Sequence, residues 1–542
     1  MAGRNTDRRS FLKFGAYGAA GVAGASWLAS CTPGTPGMPT TTLPAPGTPV
    51  DPVFDCGVAS GLHTPTAQVL WTRVAPGATS SVSTAWEVAT DPGFATVVAS
   101  GTAAAEPGRD GCVKVLAEGL APGTTHWYRF TVDGRRSPVG RTRTPAAPGS
   151  SPARVRLAIA SCQNYPSGWY TAWRDVAALD LDAVVHLGDY IYESGSFVGP
   201  FDLRRDGVGP ATDLATYRAK YRAYRSDPDL RAAHAAHAFA PVWDDHEFVN
   251  DCSRVTILEN PQRAADAYRA WFEYQPVWPI DGTRIYRRVR WGNLVDLTLP
   301  DARQYRDQQP DGGKGSLTNS LVPPGREIHD VGRTLLGAAQ REWYLDGLGA
   351  AQQDGVRWKV VGNQEMIAPV RLLDLDEPFL RAANPDIPKH GGIWFNPDAW
   401  DGYQWERDLV MSFLHDEGVA NTAFVTGDIH SFWQAPLQVD FDDEASPVVA
   451  QEFVCGSVTS RAFDLAGYDI GAAVSQAASN LRPGFRYVDL VRHGVGILEA
   501  TPDALDVQFR LSDIDYPDGL TRVGSEFRWA AGTANDVALT PR

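Results

Sequence analysis

The sequence lacks an excess of basic residues. It contains 49 Lys and Arg against 64 Asp and Glu, so its formal charge is -15 over 542 residues. Without surplus cations to displace counterions, the chain is not expected to bind nucleic acid or anionic lipid nonspecifically. Nucleic acid would therefore be recognised only as a substrate, and any anionic substrate must be attracted locally.

Long apolar runs, internal repeats and a glycine-rich nucleotide-binding motif are also missing. No apolar stretch of about 20 residues follows the N-terminal segment, which excludes a conventional membrane-spanning helix there. The lack of a repeat period argues against a solenoid. The apolar content is nevertheless 43%, and the length exceeds that of one ordinary core, so we expect roughly two or three globular domains.

The N-terminal 31 residues have the order of an export signal. Arg8 and Arg9 precede an Ala- and Gly-rich apolar run that ends near Leu28, which resembles a twin-arginine signal, although Asp7 stands where Ser or Thr is usual. Cys31 follows Leu-Ala-Ser and resembles a lipidation site; cleavage at a nearby small residue is the alternative. We expect residues 1–31 to engage the twin-arginine translocase.

Export of a folded chain suits a protein that receives its metal before leaving the cytoplasm. The Pro-, Thr- and Gly-rich residues 32–48 would form an extended tether. We therefore expect an extracellular, cell-wall or membrane-anchored location, with the membrane reached only through a lipid anchor on Cys31. A monomer is expected.

Six cysteines are few for a chain of this length. In an exported protein, Cys56 and Cys112 are the expected disulfide pair because both fall in the predicted N-terminal β-region. Buried free thiols are the expectation for Cys252 and Cys455. The sequence alone leaves the pairing open.

The remainder of the chain divides by composition. Short β-prone runs in residues 49–146 predict a small immunoglobulin- or fibronectin-like β-sandwich. A Pro- and Gly-rich linker follows, and apolar strands then alternate with helices over residues 154–515, which predicts an α/β sandwich with functional loops. Residues 516–542 are expected to form a C-terminal tail that packs near the active site.

Four segments with reactive side chains follow predicted strands, where α/β enzymes place their chemistry. Alone, each has an ordinary interpretation, such as a turn, a helix cap or a hydrogen-bonded core histidine. Together they predict a metal site. The segments are Ser161–Cys162, Gly188–Tyr192, Trp243–Glu247 and Thr426–Trp433.

These motifs resemble the alkaline phosphatase D family, whose catalytic domain is of the calcineurin-like metallophosphatase type and is related to purple acid phosphatases. Residues 57–61, 70–73, 301–307 and 396–403 agree further with that family. The resemblance extends over nearly the whole chain. It implies a metallophosphatase-type two-sheet α/β sandwich for residues 154–515 and hydrolysis of phosphate esters.

The resemblance also implies the metal ligands. In that family Fe3+ is bound by a thiolate, a carboxylate, a phenolate and an imidazole, which correspond to Cys162, Asp189, Tyr192 and His430. One or two Ca2+ ions would share Asp189 and bind Asp245 and Asp428, with Asn363 or Gln364 as a further donor. The donor types are coherent, because anionic sulfur and oxygen suit a trivalent ion and carboxylates suit Ca2+.

Two further residues are candidates for catalysis by attack of a metal-activated hydroxide or oxide. His246 would donate a proton to the leaving oxygen or hydrogen-bond the phosphate; a structural histidine is the alternative. Arg303 would bind a phosphate oxygen, or else form a surface ion pair with Asp301 or Asp307. We interpret three other histidines as core or helix residues: His186, His234 and His237.

The leading interpretation is a secreted phosphoesterase that hydrolyses phosphomonoesters and also phosphodiesters, in the service of phosphate acquisition. A phospholipase D-like phosphodiesterase on the same scaffold is the alternative. A more remote alternative is a surface binding protein without catalysis, which predicts that metal-binding side chains would be missing from the four motifs.

Overall fold

The structure is a computed structural model that describes residues 51–75, 80–195, 202–310, 326–374, 378–383, 392–461 and 484–540, together with 471, 475–476, 478–479 and 481. The predicted signal peptide, the lipidation site at Cys31 and the tether lie outside the described residues. Among the described helices, none has both the length and the hydropathy needed to cross a membrane.

The helices are α1 (Thr171–Ala178), α2 (Leu214–Arg225), α3 (Pro228–Ala236), α4 (Arg254–Glu259), α5 (Pro261–Tyr274), α6 (Ala338–Gln353), α7 (Pro378–Ala383) and α8 (Gln404–Asp416). The N-terminal strands are β1 (Val58–Thr64), β2 (Ala67–Arg73), β3 (Val82–Ala89), β4 (Val97–Ala105), β5 (Cys112–Glu118), β6 (Thr125–Val132), β7 (Arg135–Arg136) and β8 (Gly140–Arg143). The central strands are β9 (Val155–Ala160), β10 (Ala183–His186), β11 (Ala238–Pro241), β12 (Arg287–Trp291), β13 (Val295–Leu299), β14 (Trp358–Asn363), β15 (Arg371–Asp374), β16 (Gly392–Trp394) and β17 (Thr422–Thr426). The C-terminal strands are β18 (Phe432–Gln438), β19 (Val448–Cys455), β20 (Tyr487–Asp489), β21 (His493–Ala500), β22 (Ala504–Ser512), β23 (Thr521–Ala530) and β24 (Val537–Thr540).

Two large sheets form the α/β body, as the sequence predicts. One has the order β24-β23-β22-β21-β9-β10-β11-β1-β2-β5, and the other has the order β12-β13-β14-β17-β19-β18-β20. Successive residues of a strand face opposite sides. Val360 of β14 accordingly lies in the central core with Leu157 and Val185 of the first sheet, whereas Val361 packs with Met411 of α8 in a second core. The central strands of the second sheet, such as β14 and β17, are therefore buried on both faces, which explains their apolar sequences.

The predicted N-terminal β-sandwich is present, but it is not a separate body. Its core contains Leu70, Val88 and Phe130 and lies between β1-β2-β5 and the sheet β4-β3-β6-β7, to which β8 adds. Strand β1 also pairs in parallel with β11, with Ser60 opposite Ala238. The sandwich and the catalytic region therefore share a continuous sheet across the predicted domain boundary.

Residues 516–542 do not form the tail expected from the sequence. They contain β23 and β24, which extend the ten-stranded sheet by antiparallel pairing. In β23, Phe527 and Trp529 are buried while Arg528 between them is exposed, the alternation of a half-buried strand. In the loop between β22 and β23, Asp515 forms an ion pair with Arg461, whose carbonyl oxygen lies 3.2 Å from Nδ1 of the predicted ligand His430.

The expected Cys56–Cys112 disulfide is wrong for this structure. Both residues are free and buried, and both belong to the central apolar core, where a thiol packs as a small apolar group. Burial raises the pKa of Cys56 to about 12. Cys252 and Cys455 are buried free thiols, as expected.

Candidate metal centre

The reactive motifs meet because they follow parallel strands of the two sheets. Cys162 follows β9 and Asp189 follows β10, while Asp428 and His430 follow β17 of the facing sheet. Parallel strands present their carboxyl ends at one edge, where open α/β sheets bind ligands. The fold therefore brings together residues that are distant in sequence. Ser460 Oγ, for example, lies 2.6 Å from the hydroxyl of Tyr192, 268 residues earlier in the chain.

The four predicted iron ligands lie together. One ligand atom from each of Cys162, Asp189 and His430 lies within 4.8 Å of the others. The Tyr192 hydroxyl donates to Asp189 Oδ2 at 2.7 Å and lies 3.2 Å from His430 Nε2. The geometry thus places a thiol, a carboxyl, a phenol and an imidazole around one point.

This donor set suits a strongly charged cation. Burial, followed by the charge of Asp189, raises the pKa of Cys162 and of Tyr192 well above their ordinary values. Both groups therefore retain their protons when no cation is present, and a metal ion would take the place of those protons. Burial also lowers the pKa of His430 to about 4, so the imidazole is neutral and able to bind metal.

Four predicted ligands adopt the left-handed backbone conformation that non-glycine residues rarely occupy. Their φ angles are 57° at Cys162, 56° at Asp189, 61° at Asp428 and 54° at His430. Such conformations persist only where the surroundings impose them, and they cluster at functional sites. The backbone of these loops is therefore held in place by other contacts.

Gly188 allows two of the loops to approach. Its φ is 112°, and a Cβ at this position would lie 2.5 Å from the backbone nitrogen of Asp244. A larger residue would force apart the loops after β10 and β11. Gly188 therefore allows Asp189 to lie close to Asp244 and Asp245.

Five carboxylates crowd beside the predicted iron ligands. Ligand atoms of Asp244, Asp245 and Asp428 lie within 4.8 Å of one another, as do those of Glu365, Asp398 and Asp428. Asp245 and Asp428 are predicted calcium ligands, whereas the sequence analysis did not assign the other three. Burial and the neighbouring carboxylates raise the pKa of Asp428 well above its ordinary value, so this cluster is short of positive charge.

Several buried oxygens in this cluster lack a partner among the described residues. Such atoms are costly unless a cation or water binds them, and oxygen donors are those that Ca2+ prefers. The side chains present therefore fit the predicted hard cation. The unpartnered atoms are Asp244 Oδ2, Asp245 Oδ1, Asn363 Oδ1, Gln364 Oε1 and Glu365 Oε2.

Arg303 lies within this cluster, not on the surface. Its side chain is 1% exposed, and it pairs with Asp244, with Asp398 at 2.6 Å and with Glu365 at 2.5 Å. The alternative of a surface ion pair with Asp301 or Asp307 is therefore wrong. Its binding of phosphate stays a prediction, because carboxylates occupy the guanidinium in this arrangement.

His246 stands at the edge of the centre. Its Nδ1 lies 2.6 Å from Glu193 Oε2, its ring lies 4.0 Å from that of Tyr192, and its side chain is 16% exposed. Nε2 has no hydrogen-bond partner among the described residues. The carboxylates of Asp245, Asp189 and Glu193 outweigh burial and raise the pKa of His246 well above its ordinary value. Proton donation by His246 stays a prediction.

The three histidines interpreted as core or helix residues are buried away from the ligand set. His186 stacks on Trp173, His234 bonds the Tyr190 hydroxyl at 2.8 Å, and His237 Nε2 lies 2.9 Å from the Val176 carbonyl.

The sequence analysis missed Asp244 although it lies beside Asp245. Asp398 lies in the family-like segment 396–403 and Glu193 directly follows Tyr192, but the sequence assigned neither a role, because their roles depend on partners distant in sequence.

The chain is similar to known proteins over most of its length. Residues 157–509 match the family model for PhoD-like phosphatase, and residues 41–146 match that for the PhoD-like phosphatase N-terminal domain. Alkaline phosphatase D of Bacillus subtilis (strain 168) is 36% identical over 431 residues, which cover 75% of this chain and 69% of the relative.

Solved structures show the same similarity. A structure of PhoD has 31% identity and a TM-score of 0.81, and the match covers 90% of this chain and 92% of that one. The purple acid phosphatase PPD1 of yellow lupin has a TM-score of 0.51 at 11% identity, covering 88% and 73% of the two chains. The lupin enzyme shares the fold alone.

Proposed function

The chain belongs to the PhoD-like phosphatase family and is a phosphoric ester hydrolase, and we propose that it is an exported enzyme that uses Fe3+ and one or two Ca2+ ions. The observation that carries this proposal is the convergence of the thiol of Cys162, the phenol of Tyr192 and the imidazole of His430 on Asp189. Retention of these groups argues against a binding protein that has lost catalysis.

The chemistry of the side chains indicates which of them would bind Fe3+ and which would bind Ca2+. Cys162, Asp189, Tyr192 and His430 would bind Fe3+, because a thiolate and a phenolate favour the trivalent ion. Asp189 would be shared with Ca2+, which would take its other ligands from the carboxylate cluster through Asp245 and Asp428. When bound, the metals would activate water for attack and neutralise the charge that develops on the phosphoryl group.

The protein's own side chains would act on the leaving group and on the substrate's position. Glu193 holds His246 through Nδ1, and Nε2 has no hydrogen-bond partner in the part of the chain that the structure describes. This orientation suits proton donation to the departing alcohol oxygen. Arg303 would balance the charge of the carboxylate cluster and bind a phosphate oxygen when the metals take over its acidic partners.

We extend the substrate range from phosphomonoesters to phosphodiesters, since this reaction requires only a phosphoryl centre and a protonated leaving oxygen. Phosphate acquisition outside the cell is the corresponding purpose. The twin-arginine-like residues Arg8 and Arg9, and Cys31 in its lipidation context, support export and a membrane-anchored or extracellular location.

The test is metal analysis of protein exported in its native host, combined with hydrolysis assays that follow the released alcohol, nitrophenol or choline, and for the monoester also inorganic phosphate. A p-nitrophenyl monoester, its bis-ester and phosphatidylcholine would be compared with and without a calcium chelator. One iron per chain and chelator-sensitive hydrolysis of the first two substrates would support the proposal. Preference for phosphatidylcholine would favour the phospholipase D-like alternative, and inactivity after reconstitution with both metals would refute the metal assignment.

A further inference from the structure

Two buried glutamates outside the predicted ligand set join the loops that carry ligands. We propose that Glu247 and Glu452 are positioning residues, one for each sheet, which hold these loops in the metal-binding arrangement and thereby determine how firmly each metal is retained. The inference rests on the proposed function for its metals, but its geometry is independent of them.

Glu247 connects the loops that follow β10 and β11. Its Oε2 accepts from the backbone N–H groups of Asp189 at 3.0 Å and Asp244 at 2.9 Å. Its Oε1 accepts from Tyr190 N–H at 2.7 Å. The side chain is 1% exposed. A single carboxylate therefore ties the predicted shared ligand, Asp189, to the start of the Asp244–Asp245 pair.

Glu452 makes the corresponding connection in the second sheet. From β19, its Oε1 accepts from Ile367 N–H at 2.9 Å and from Thr426 Oγ1 at 2.8 Å. Its Oε2 accepts from Ala368 N–H at 2.8 Å. It joins the loop that contains Glu365 to the end of β17, directly before the Asp428 loop.

The hydrogen bonds of Glu247 and Glu452 stabilise loops that contain strained backbone conformations. A buried carboxylate that accepts backbone N–H groups forms strong, charge-assisted hydrogen bonds, and it satisfies donors that would otherwise be buried without partners. Loops fixed before metal binding lose less conformational entropy when the ion arrives. Glu247 accepts directly from the N–H of Asp189, whose φ is 56°. Glu452 holds Thr426, two residues before Asp428, whose φ is 61°.

The variants Glu247→Gln and Glu452→Gln test the proposal, with Glu406→Gln as a matched control. Glutamine keeps the shape but places an amide against backbone N–H donors. Glu406 is a buried carboxylate that accepts from Leu335 N–H at 2.6 Å and Leu336 N–H at 3.0 Å, outside the ligand loops. Three properties would be measured on the full chain: amide hydrogen exchange, the iron and calcium content, and the visible absorption band expected of an iron-bound tyrosinate.

Glu247→Gln should raise exchange about tenfold in peptides containing Asp189 and Asp244 and should lose both metals. Glu452→Gln should raise exchange at Ile367 and Ala368 by a similar factor and should lose calcium before iron. Glu406→Gln should retain the metals and the band. Equal metal retention in all three variants, or exchange that rises uniformly across the chain, would overturn the proposal.

Failure of the proposed function gives a different result. If the wild-type protein holds neither iron nor calcium, the metal assignment fails. The exchange measurements still test whether Glu247 and Glu452 hold the loops in place. Local loss of protection at the named loops would then support the positioning role. Unchanged protection in the metal-free full chain would overturn it.

Discussion

His246 Nδ1 lies 2.6 Å from Glu193 Oε2, so a carboxylate 53 residues earlier in the chain orients an imidazole whose Nε2 has no hydrogen-bond partner among the described residues. This relationship predicts a leaving-group effect. His246→Asn should lower kcat about 100-fold or more for an alkyl phosphate, whose alcohol needs a proton. The loss should be below about tenfold for a p-nitrophenyl ester, because that anion leaves unprotonated.

The exposed His415 of α8 provides the control, since His415→Asn removes an imidazole outside the site. Steady-state kinetics with the two substrates decide the matter. Equal losses for alkyl and nitrophenyl esters would contradict proton donation and favour a structural role for His246.

Calcium removal should reverse the effect of one substitution. Asp428 lies among Asp244, Asp398 and Asp245, so Asp428→Asn should weaken calcium binding and lower Tm in calcium. After chelation the same change should raise Tm by about 1–3 °C, because it relieves repulsion. Thermal melts in both conditions test this, with the exposed Asp346→Asn as control; a variant that melts lower in both would contradict it.

Substitutions of Cys162 and Tyr192 should affect iron binding, whereas substitution of an ordinary buried thiol should not. Cys162→Ser should lose most of the bound iron, while Cys455→Ser, which changes a buried thiol in β19, should keep it. Tyr192→Phe should abolish the visible band of iron-bound tyrosinate. Metal analysis and absorption spectra provide the measurement, and an unchanged band in Tyr192→Phe would remove this residue from the ligand set.

Acid should destabilise the protein partly through His237. Burial, reinforced by Arg141, lowers the pKa of His237 from 6.5 to about 4, so the unfolded chain takes up this proton first as pH falls. Above pH 6.5 His237 is neutral in both states and does not lower the free energy of unfolding. Between pH 6.5 and pH 4 its protonation in the unfolded chain lowers the free energy of unfolding by about 3 kcal/mol. His237→Gln should flatten the decline in Tm between pH 7 and 5, and an identical decline would contradict this assignment.

The N-terminal sandwich and the catalytic region should unfold together. Besides the pairing of β1 with β11, Trp71 Nε1 donates to the Glu273 carbonyl at 2.7 Å. Phe130→Ala in the sandwich core should destabilise by about 3–5 kcal/mol and shift one common calorimetric transition, whereas the exposed Val98→Ala should change little. Two separable transitions would show that the shared sheet does not couple the regions.

Local patterns were sufficient to predict much of the site. Cys162, Asp189 and His430 each follow an apolar strand, and parallel strand ends meet at one edge, so their meeting was foreseeable. Asp398 and Glu193 were not assigned a role, because nothing near them in sequence indicates the partners they meet. The missed β23 shows a different error, since its alternation of buried and exposed residues was present in the sequence but was read as a tail.

The sequence by itself determined the α/β class and the reactive residues that follow strand ends, because periodicity and strand-end motifs are encoded over a few neighbouring residues. The two-sheet body and the ligand set were implied by its resemblance to a known family. Only the tertiary structure decided that β1 joins the catalytic sheet, that Cys56 and Cys112 are free, and that Arg303 is enclosed by carboxylates. These features depend on which distant edges and side chains meet. That outcome follows from packing the whole chain, since backbone pairing and ion pairing depend on proximity in space.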